Sequence, residues 1–363
     1  MSELMVKLER IQNVLDGQGL NALLLRREAD FAWATCGAAS HVNLADAYGA
    51  ASVLITPRGR YIITNNIEAA RLQEEEHLTD QGWEFRSEPW YEADGAVDEL
   101  TQGMQLAADF AYPGARNIQE EMARLRAALV PEEAERFRLL CRSCAEAVDS
   151  AILSIRPGLT EYQIAGMLAR EAWSRGVEPI VNLVGTDERI SRFRHPLPTE
   201  KRLEKYVMLV LCGRKGGLVA SITRLAYFGT LPDELRVKSR AVAQVDAHFI
   251  AATRPGTRLC DIFREAMDCY NLYGFPGEWQ LHHQGGLAGY EPREIIATPD
   301  LECEVSVGQV YAWNPSITGT KSEDTILVGE TQNEILTAIP RWPAIKVNLR
   351  GQSIERPLSL EIP

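Results

Sequence analysis

The sequence lacks a long apolar run. Nowhere in its 363 residues is there an uninterrupted stretch of the roughly 18–20 apolar residues that a membrane helix needs. Basic residues are also few, because 38 Lys and Arg stand against 50 Asp and Glu and give a formal net charge of −12. Nonspecific nucleic-acid binding depends on clustered Lys and Arg, so this acidic balance argues against it. We therefore expect neither a membrane nor a nucleic acid as a partner.

Paired cysteines and a secretory leader are missing as well. The seven cysteines are odd in number and scattered along the chain, which is not the pattern of a disulfide framework. The N-terminus is amphipathic and mixed in charge, unlike a secretory signal. We expect buried free thiols and a cytoplasmic location.

The apolar pattern predicts two domains and a short tail. A length of 363 residues is typical of two domains. Helical and strand-like segments alternate first, and the turn Pro57-Arg58-Gly59 separates two strand-like runs as in a hairpin. Pro131 then begins a long predicted helix that ends near Ile155, since proline is favoured in a first helical turn. We predict an α/β domain over residues 1–129, a second domain over 130–345, and a strand or an extended tail over 346–363.

The second domain contains an internal repeat. The triplets Arg156-Pro157-Gly158 and Arg254-Pro255-Gly256 lie 98 residues apart. Each is followed by an amphipathic helix, a segment with histidine and a predicted strand hairpin, and Thr160 with Gln163 has capping-box spacing. The domain therefore looks like two fused copies related by a pseudo-two-fold axis, with a site expected between the halves.

Polar residues gather at matching points of the two copies. The first copy contributes Arg194-His195-Pro196 and the run Ala220-Ser221-Ile222-Thr223-Arg224. The second contributes four short segments: His282-His283-Gln284-Gly285-Gly286, Tyr290-Glu291, Asn314-Pro315 and Lys321-Ser322-Glu323-Asp324. Three of the six histidines fall within these segments.

These segments resemble those of the creatinase/aminopeptidase superfamily, which includes methionine aminopeptidase, prolidase, Xaa-Pro aminopeptidase and creatinase. The resemblance covers nearly the whole chain. It implies an α/β fold in which a creatinase-like N-terminal domain precedes a pseudo-two-fold "pita-bread" domain. It also implies a homodimer, because creatinase-like relatives complete their site with the partner's N-terminal domain.

The resemblance further implies five metal ligands, most of which this chain lacks. The family's peptidases hold two metal ions with two Asp, one His and two Glu. Ser221 occupies the position of the second Asp. The first Asp would be expected near Val210, but no carboxylate occurs between residues 205 and 224. His283 and Glu323 match the His and the last Glu, whereas Asn314 replaces the other Glu. Tyr290 takes the place of a second catalytic histidine, and His195 matches a histidine that contacts substrate.

Two divalent cations at close range need anionic ligands to offset their charge, and hard metals prefer carboxylate oxygen. We therefore expect no metal at Ser221, His283, Asn314 and Glu323, and no other cofactor. A single ion held by Cys212, His283 and Glu323 is the alternative, since these are zinc-type ligands.

Creatinase offers a precedent within the superfamily, because it hydrolyses a guanidinium C–N bond without metal. By this resemblance the chain is predicted to be a metal-independent hydrolase or lyase that acts on a C–N bond of a small amino-acid-like substrate. His195 is the acid–base candidate, since an ordinary imidazole titrates near neutral pH. His283, Glu323 and Tyr290 complete the predicted catalytic set. The predicted substrate-binding residues are Ser221, Thr223, Arg224, His282, Asn314, Lys321 and Glu291.

The charges leave the substrate open. Glu323 favours a cationic nitrogen, whereas Arg224, Lys321 and Arg194 favour a carboxylate or phosphate. Arg224 has the alternative role of a structural ion-pair partner of Glu323 or Asp324. Two other functions stay open: a catalytically silent protein that binds a ligand or peptide, and a single-metal Xaa-Pro-type aminopeptidase.

Overall fold

The short apolar runs of the N-terminal part become neighbouring strands in the computed structural model, which describes residues 2–92 and 95–363. The chain divides into two units. Residues up to Glu132, with the segment Gly216–Leu218, form the first unit. The segments Glu133–Lys215 and Val219–Pro363 form the second.

The first unit is built on a six-stranded mixed sheet. Its strands are β1 Ala22–Arg27, β2 Tyr48–Thr56, β3 Gly59–Asn65, β4 Glu84–Glu88, β5 Leu106–Ala108 and β6 Arg116–Asn117, in the order β4-β3-β2-β1-β5-β6. Its helices are α1 Glu3–Gln18, α2 Glu28–Ala34, α3 Ala69–Glu74, α4 Ala96–Thr101 and α5 Gln119–Ala127. Strands β2 and β3 pair antiparallel with Thr56 opposite Gly59, which confirms the predicted hairpin. The core-facing stripe of α1 buries Ile11 and Leu15, and the helix ends at Gly19 in the left-handed conformation that glycine favours.

The second unit begins with the predicted long helix. Its helices are α6 Pro131–Ser154, α7 Glu161–Trp173, α8 Glu188–Arg192, α9 Asp233–Ala252 and α10 Leu259–Leu272, with a 3₁₀ turn at Glu278–Leu281. Its larger strands are β7 Glu178–Thr186, β8 Tyr206–Lys215, β9 Leu218–Phe228, β10 Gly285–Ala288, β11 Ile295–Ile296 and β12 Val310–Trp313. The remaining strands are β13 Ser316–Ile317, β14 Thr320–Lys321, β15 Asp324–Leu327, β16 Glu334–Ile335, β17 Ala344–Leu349, β18 Gln352–Pro357 and β19 Leu360–Ile362. The two larger sheets have the orders β19-β9-β8-β7 and β11-β10-β12-β15-β16, and the pairs β13-β14 and β17-β18 form two-stranded sheets.

The two copies of the repeat use the same hydrogen bonds. The amide of Gly158 donates to Leu203 O and that of Gly256 to Val305 O, each at 2.8 Å. Both glycines have positive φ, 92° and 81°. The predicted capping box also forms, with Thr160 and Gln163 bonded reciprocally at the start of α7. The mixed α/β class and the repeat are therefore as predicted.

The cysteines are unpaired with one another, as the sequence predicts. Within the described residues no cysteine forms a disulfide, and Cys141 and Cys144 are fully buried on α6. None of the described helices has an apolar stretch of the length that a bilayer would require.

The C-terminal segment forms strands, which is the first of the two alternatives that the sequence leaves open. Strands β17 and β18 form a hairpin, and β19 pairs in parallel with β9. Arg356 on β18 is fully buried and bonded to Asp246 of α9 and to Asp324 of β15. The segment is thus an integral part of the second unit, because its Arg356 pairs with the buried Asp246 and shares the buried Asp324 with Arg224.

Replacing Arg356 by alanine should destabilise the protein by about 3–5 kcal/mol, because it leaves Asp246 buried without its cation and Asp324 with Arg224 alone. Urea unfolding measures the change. The matched control is Lys346→Ala in the same hairpin, whose pair with Glu355 is 72% and 62% exposed. We expect that control to change stability by less than about 0.5 kcal/mol. A loss below about 1 kcal/mol for Arg356→Ala would contradict the role given to this network.

Candidate functional site

The two hairpins of the repeat meet at Thr223 and Glu323. The amide of Thr223 on β9 donates to the Glu323 carbonyl at 3.2 Å, and the Thr223 hydroxyl donates to the Glu323 carboxylate. Both residues are buried. The sequence prediction that polar residues of the two copies come together therefore agrees with this contact.

Glu323 is bound by two cations of the protein itself. Lys321 Nζ lies 2.9 Å from its Oε2, and Arg293 Nη2 lies 2.9 Å from its Oε1. Burial alone would raise the pKa of the Glu323 carboxyl, but Lys321 and Arg293 outweigh burial and hold that pKa well below its ordinary value. Glu323 is thus ionised, and the three side chains together carry one net positive charge.

Arg293 is a site residue that the sequence reasoning missed. Besides Glu323, its guanidinium donates to Ser221 Oγ at 3.2 Å. Arg293 therefore links Glu323, the only carboxylate among the matched ligand positions, to Ser221, a neutral residue at another of these positions. The sequence signal that could have found it is weak: a cationic residue two positions after Glu291 in the same loop.

Ser221 and Cys212 form the neutral side of the site. Ser221 is fully buried, and its hydroxyl lies 3.4 Å from Cys212 Sγ across the β8–β9 hairpin. Burial, followed by the charge of Glu323, raises the pKa of the Cys212 thiol. Cys212 is therefore a protonated thiol next to Ser221, and the hairpin brings no anion to the site.

Three histidines lie side by side. His195 is in the exposed loop after α8, whereas His282 and His283 follow the 3₁₀ turn and precede β10. The Nε2 atoms of His195 and His282 are 3.0 Å apart, and the rings of His282 and His283 stack with centroids 4.4 Å apart. Two of the three predicted site histidines thus contact each other directly, and the third stacks on the pair.

The glycines after the histidines fix this loop. Gly285 has φ of 101°, and a Cβ there would lie 2.1 Å from Ala312 O of β12. A Cβ on Gly286 would lie 2.2 Å from Ile295 O of β11. Only glycine permits such close approach of β10 to both neighbours. Gln284 adds a buried anchor, because its amide accepts from Tyr270 and donates to the carbonyl of His282.

All three imidazoles favour the neutral form. Burial, then the charges of Arg293 and Lys321, lowers the pKa of His283 to about 4. Burial, then Lys321 and the other two histidines, lowers the pKa of His282 to about 2. Burial and Lys321 also lower the pKa of His195. At neutral pH the site therefore presents uncharged rings that can accept a proton beside a cationic patch.

With this geometry established, sequence comparison identifies the family. The model of metallopeptidase family M24 matches residues 135–330, more than half of the chain. The chain belongs to metallopeptidase family M24. This confirms the resemblance to the creatinase/aminopeptidase superfamily and places the chain in a family of hydrolases.

Individual M24 relatives agree. The chain is 25% identical over 236 residues to a Xaa-Pro dipeptidase of Pyrococcus furiosus, covering 62% of this chain and 67% of that protein. It is 24% identical over 249 residues to an uncharacterized peptidase of Staphylococcus saprophyticus, covering 66% of this chain and 70% of that protein. The structure of a Xaa-Pro dipeptidase from Bacillus anthracis superposes with a TM-score of 0.79 at 19% identity, covering 99% and 100%. The last comparison confirms the pita-bread fold.

The donor set of this M24 chain does not fit the two metal ions that the family name implies. Of the matched ligand positions, Ser221 and Asn314 are neutral, and the carboxylate of Glu323 is already bound by two cations. A dication about 4 Å from a unit positive charge is repelled by about 8 kcal/mol at an effective dielectric constant near 20. Lys321 and Arg293 would both exert such a repulsion.

Asn314 keeps an unused acceptor. Its backbone N–H donates to the backbone carbonyl of Gln284 at 3.0 Å, and the residue is 2% exposed. Its Oδ1 has no hydrogen-bond partner within the described part of the chain. An unpaired buried acceptor costs about 1–3 kcal/mol, so Asn314 is suited to receive a donor from a ligand or water.

Other predicted residues are engaged in structural contacts. Arg224 pairs with Asp324 at 2.8 Å, which is its alternative role, and Arg194 pairs with Glu278 at 2.8 Å. The Tyr290 hydroxyl donates to Glu133 of α6 at 2.6 Å. The amide of Glu291 donates to the side chain of Glu294. Lys321 and Arg293, rather than Arg224 and Arg194, are thus the cations at the centre of the site.

Removal of the Glu323 carboxylate should reveal how much its two ion pairs contribute to stability. Glu323→Gln leaves Lys321 and Arg293 buried without an anion, so we expect a loss of about 3–5 kcal/mol in urea unfolding. Adding Arg293→Gln should recover part of this loss, with a double-mutant coupling of about 1.5–3 kcal/mol. The comparison pair is Arg138 with Glu334, 32% and 50% exposed, for which the coupling should stay below about 1 kcal/mol. Equal couplings for the two pairs would contradict a buried ion pair at Glu323.

Acid should weaken the fold through His283. Its pKa is about 4 in the folded protein and about 6.5 when unfolded, so between these values the unfolded chain binds more protons and stability falls as pH falls. In chelator-containing buffer, the stability difference between wild type and His283→Asn should shift by about 1–2 kcal/mol from pH 7 to pH 4.5. His77→Asn, at an exposed position, should show no such shift. An identical pH response of both variants would be inconsistent with a neutral, half-buried His283.

Proposed function

We propose that this M24 protein is a metal-independent hydrolase of the creatinase type, which cleaves a C–N bond of a small amino-acid-like substrate with His195 as acid and base. The observation that carries the proposal is the double ion pair of Glu323 with Lys321 and Arg293. Two fixed protein cations bind Glu323, the residue that the family resemblance matches to a metal ligand. They supply positive charge to a polarised oxygen of the substrate without a bound metal.

His195 is suited to proton transfer by its position and environment. It is the exposed member of the histidine group, so its ring is accessible to substrate. Its Nε2 is 3.0 Å from that of His282, so the pair can share one proton. In hydrolysis, neutral His195 would take a proton from the attacking water as the oxygen bonds to carbon. It would then return that proton to the nitrogen that leaves as the C–N bond breaks.

The charges favour a substrate with a carboxylate over one with a cationic nitrogen. Glu323 already binds Lys321 and Arg293, so it has little capacity for a third cation. Arg224 and Arg194 are neutralised by Asp324 and Glu278. The remaining net positive charge lies at Lys321 and Arg293, whose geometry suits an anionic group. Asn314 Oδ1 is an acceptor for an N–H of the same substrate.

A second candidate function is ligand binding without turnover. Tyr290 stands where the family has a second catalytic histidine, and its hydroxyl is bonded to the buried Glu133. This contact favours a structural role for Tyr290. His195 would then be the acid–base group without assistance from a residue at the position of the second catalytic histidine. Binding with no turnover across a substrate screen would support this function.

A turnover screen in the presence of chelator tests the proposal. Amides, amidines, ureas and Xaa-Pro dipeptides should include a substrate whose hydrolysis is insensitive to EDTA. His195→Ala should lower that turnover by about 10²–10⁴-fold, since it removes the acid–base group. His77→Ala, far from this chemistry in an exposed position, should leave the rate unchanged. Turnover that appears only with added Mn²⁺ or Co²⁺ would overturn the metal-independent mechanism.

A further inference from the structure

The three histidines present convergent nitrogen atoms. Each of His195, His282 and His283 offers a ring nitrogen, and these three atoms all lie within 4.8 Å of one another. Across residues 2–92 and 95–363, this is the one group of three or more histidine, cysteine or acidic side chains with such spacing. We propose that these three imidazoles bind a single borderline transition-metal ion such as Zn²⁺, Co²⁺ or Ni²⁺.

The spacing fits an ion of this class. Zinc binds imidazole at about 2.0–2.1 Å in tetrahedral geometry, which separates two ligand nitrogens by about 3.3 Å. The Nε2 atoms of His195 and His282 are 3.0 Å apart, close to that separation. The ring nitrogen of His283 lies within 4.8 Å of the other two. Because the ring of His195 lies at the surface, rotation of its side chain can adjust the distances to those that a metal ion requires. Three imidazoles leave a fourth position for water or an anion, as in catalytic zinc sites.

The ligand chemistry separates this site from the family's two-metal centre. Its donors are three imidazoles and no carboxylate, whereas Mg²⁺ and Mn²⁺ prefer oxygen ligands. Imidazole instead suits zinc, copper and nickel. Only His283 is shared with the ligand positions that the family resemblance implies. The site is therefore predicted to bind one ion and to discriminate against Mn²⁺.

The surroundings set an upper limit to the affinity. Lys321 and Arg293 are close enough to lower the pKa of His283, so they also repel a cation. The Nδ1 atoms of His282 and His283 have no hydrogen-bond partner among the described residues. The rings are thus free of a competing protein contact on that side, but they lack the acceptor that usually orients a ligating histidine. Loss of such an acceptor costs about 10–100-fold in affinity, so we expect a micromolar rather than a nanomolar site.

Occupancy would change what the site can do. An ion on His195 takes up the nitrogen lone pair that proton transfer requires. Metal binding and acid–base action by His195 are therefore mutually exclusive, and the ion would inhibit the hydrolase proposed above. This consequence goes beyond the proposed function, whereas the binding itself does not depend on that function.

Titration of the tag-free, chelator-treated full chain with CoCl₂ and ZnCl₂ tests the site. We expect one ion per chain, visible absorption typical of four-coordinate Co²⁺, and no binding of MnCl₂ at the same concentrations. His195→Ala, His282→Ala and His283→Ala should each weaken binding at least about tenfold. His77→Ala, a change at an exposed position, should bind like wild type.

His195→Ala decides the outcome even where a buried variant misfolds, because the exposed loop can lose this ring without loss of core packing, as thermal melting will verify. The proposal is overturned by absence of Co²⁺ and Zn²⁺ binding, by two ions per chain, or by binding that His195→Ala leaves intact. Binding that Cys212→Ser abolishes while the histidine variants retain it would also overturn it. Turnover without added metal is measured in a separate assay, so failure of the hydrolase proposal and failure of the metal site are told apart.

Discussion

A buried carboxylate with two cationic partners is the constraint on which this site depends. Glu323 is 2% exposed, and each of its carboxylate oxygens lies 2.9 Å from a cationic nitrogen, one of Arg293 and one of Lys321. An isolated buried charge is costly, so Glu323, Lys321 and Arg293 stabilise one another and none can be replaced alone without penalty. The residues around them are neutral: Ser221, Cys212, Asn314 and three uncharged imidazoles. The site therefore has a small fixed surplus of positive charge, opposite in sign to what a pair of dications requires of its ligands.

A second ion-pair network lies directly behind the first. Arg224 and Arg356 bind Asp324, and Arg356 also binds Asp246. Two arginines and two aspartates balance, so this network adds no net charge to the site. Its function is positional, because Asp324 follows Glu323 in the chain and is bound by Arg224 of β9 and Arg356 of β18. The neutral network thus fixes the backbone from which the charged one projects.

Local patterns allowed much of the fold to be predicted, and tertiary pairings account for what was missed. The hairpin of β2 and β3, the capping box of α7 and the repeat of Arg-Pro-Gly turns depend on residues close in sequence, so their spacing is informative. Arg293 was missed because its partners Ser221 and Glu323 are 72 and 30 residues away, and no spacing rule links them. Arg356 was missed for the same reason, since it meets Asp246 across 110 residues. The family resemblance predicted which ligand positions are degenerate, but not which side chains compensate.

The same surplus charge links the three properties of the site. Lys321 and Arg293 contribute to lowering the pKa of His283 and so help to keep the imidazole neutral. A neutral imidazole is the form that accepts a proton from water and also the form that ligates a metal ion. The cations thus favour a base, disfavour a pair of dications, and permit at most a weakly held single ion on neutral nitrogen ligands. Because the same charges contribute to all three, a change at Glu323, Lys321 or Arg293 should alter the proton affinity and the metal affinity of the histidines together. A purely steric account of the lost metal ligands has no reason to couple these two quantities.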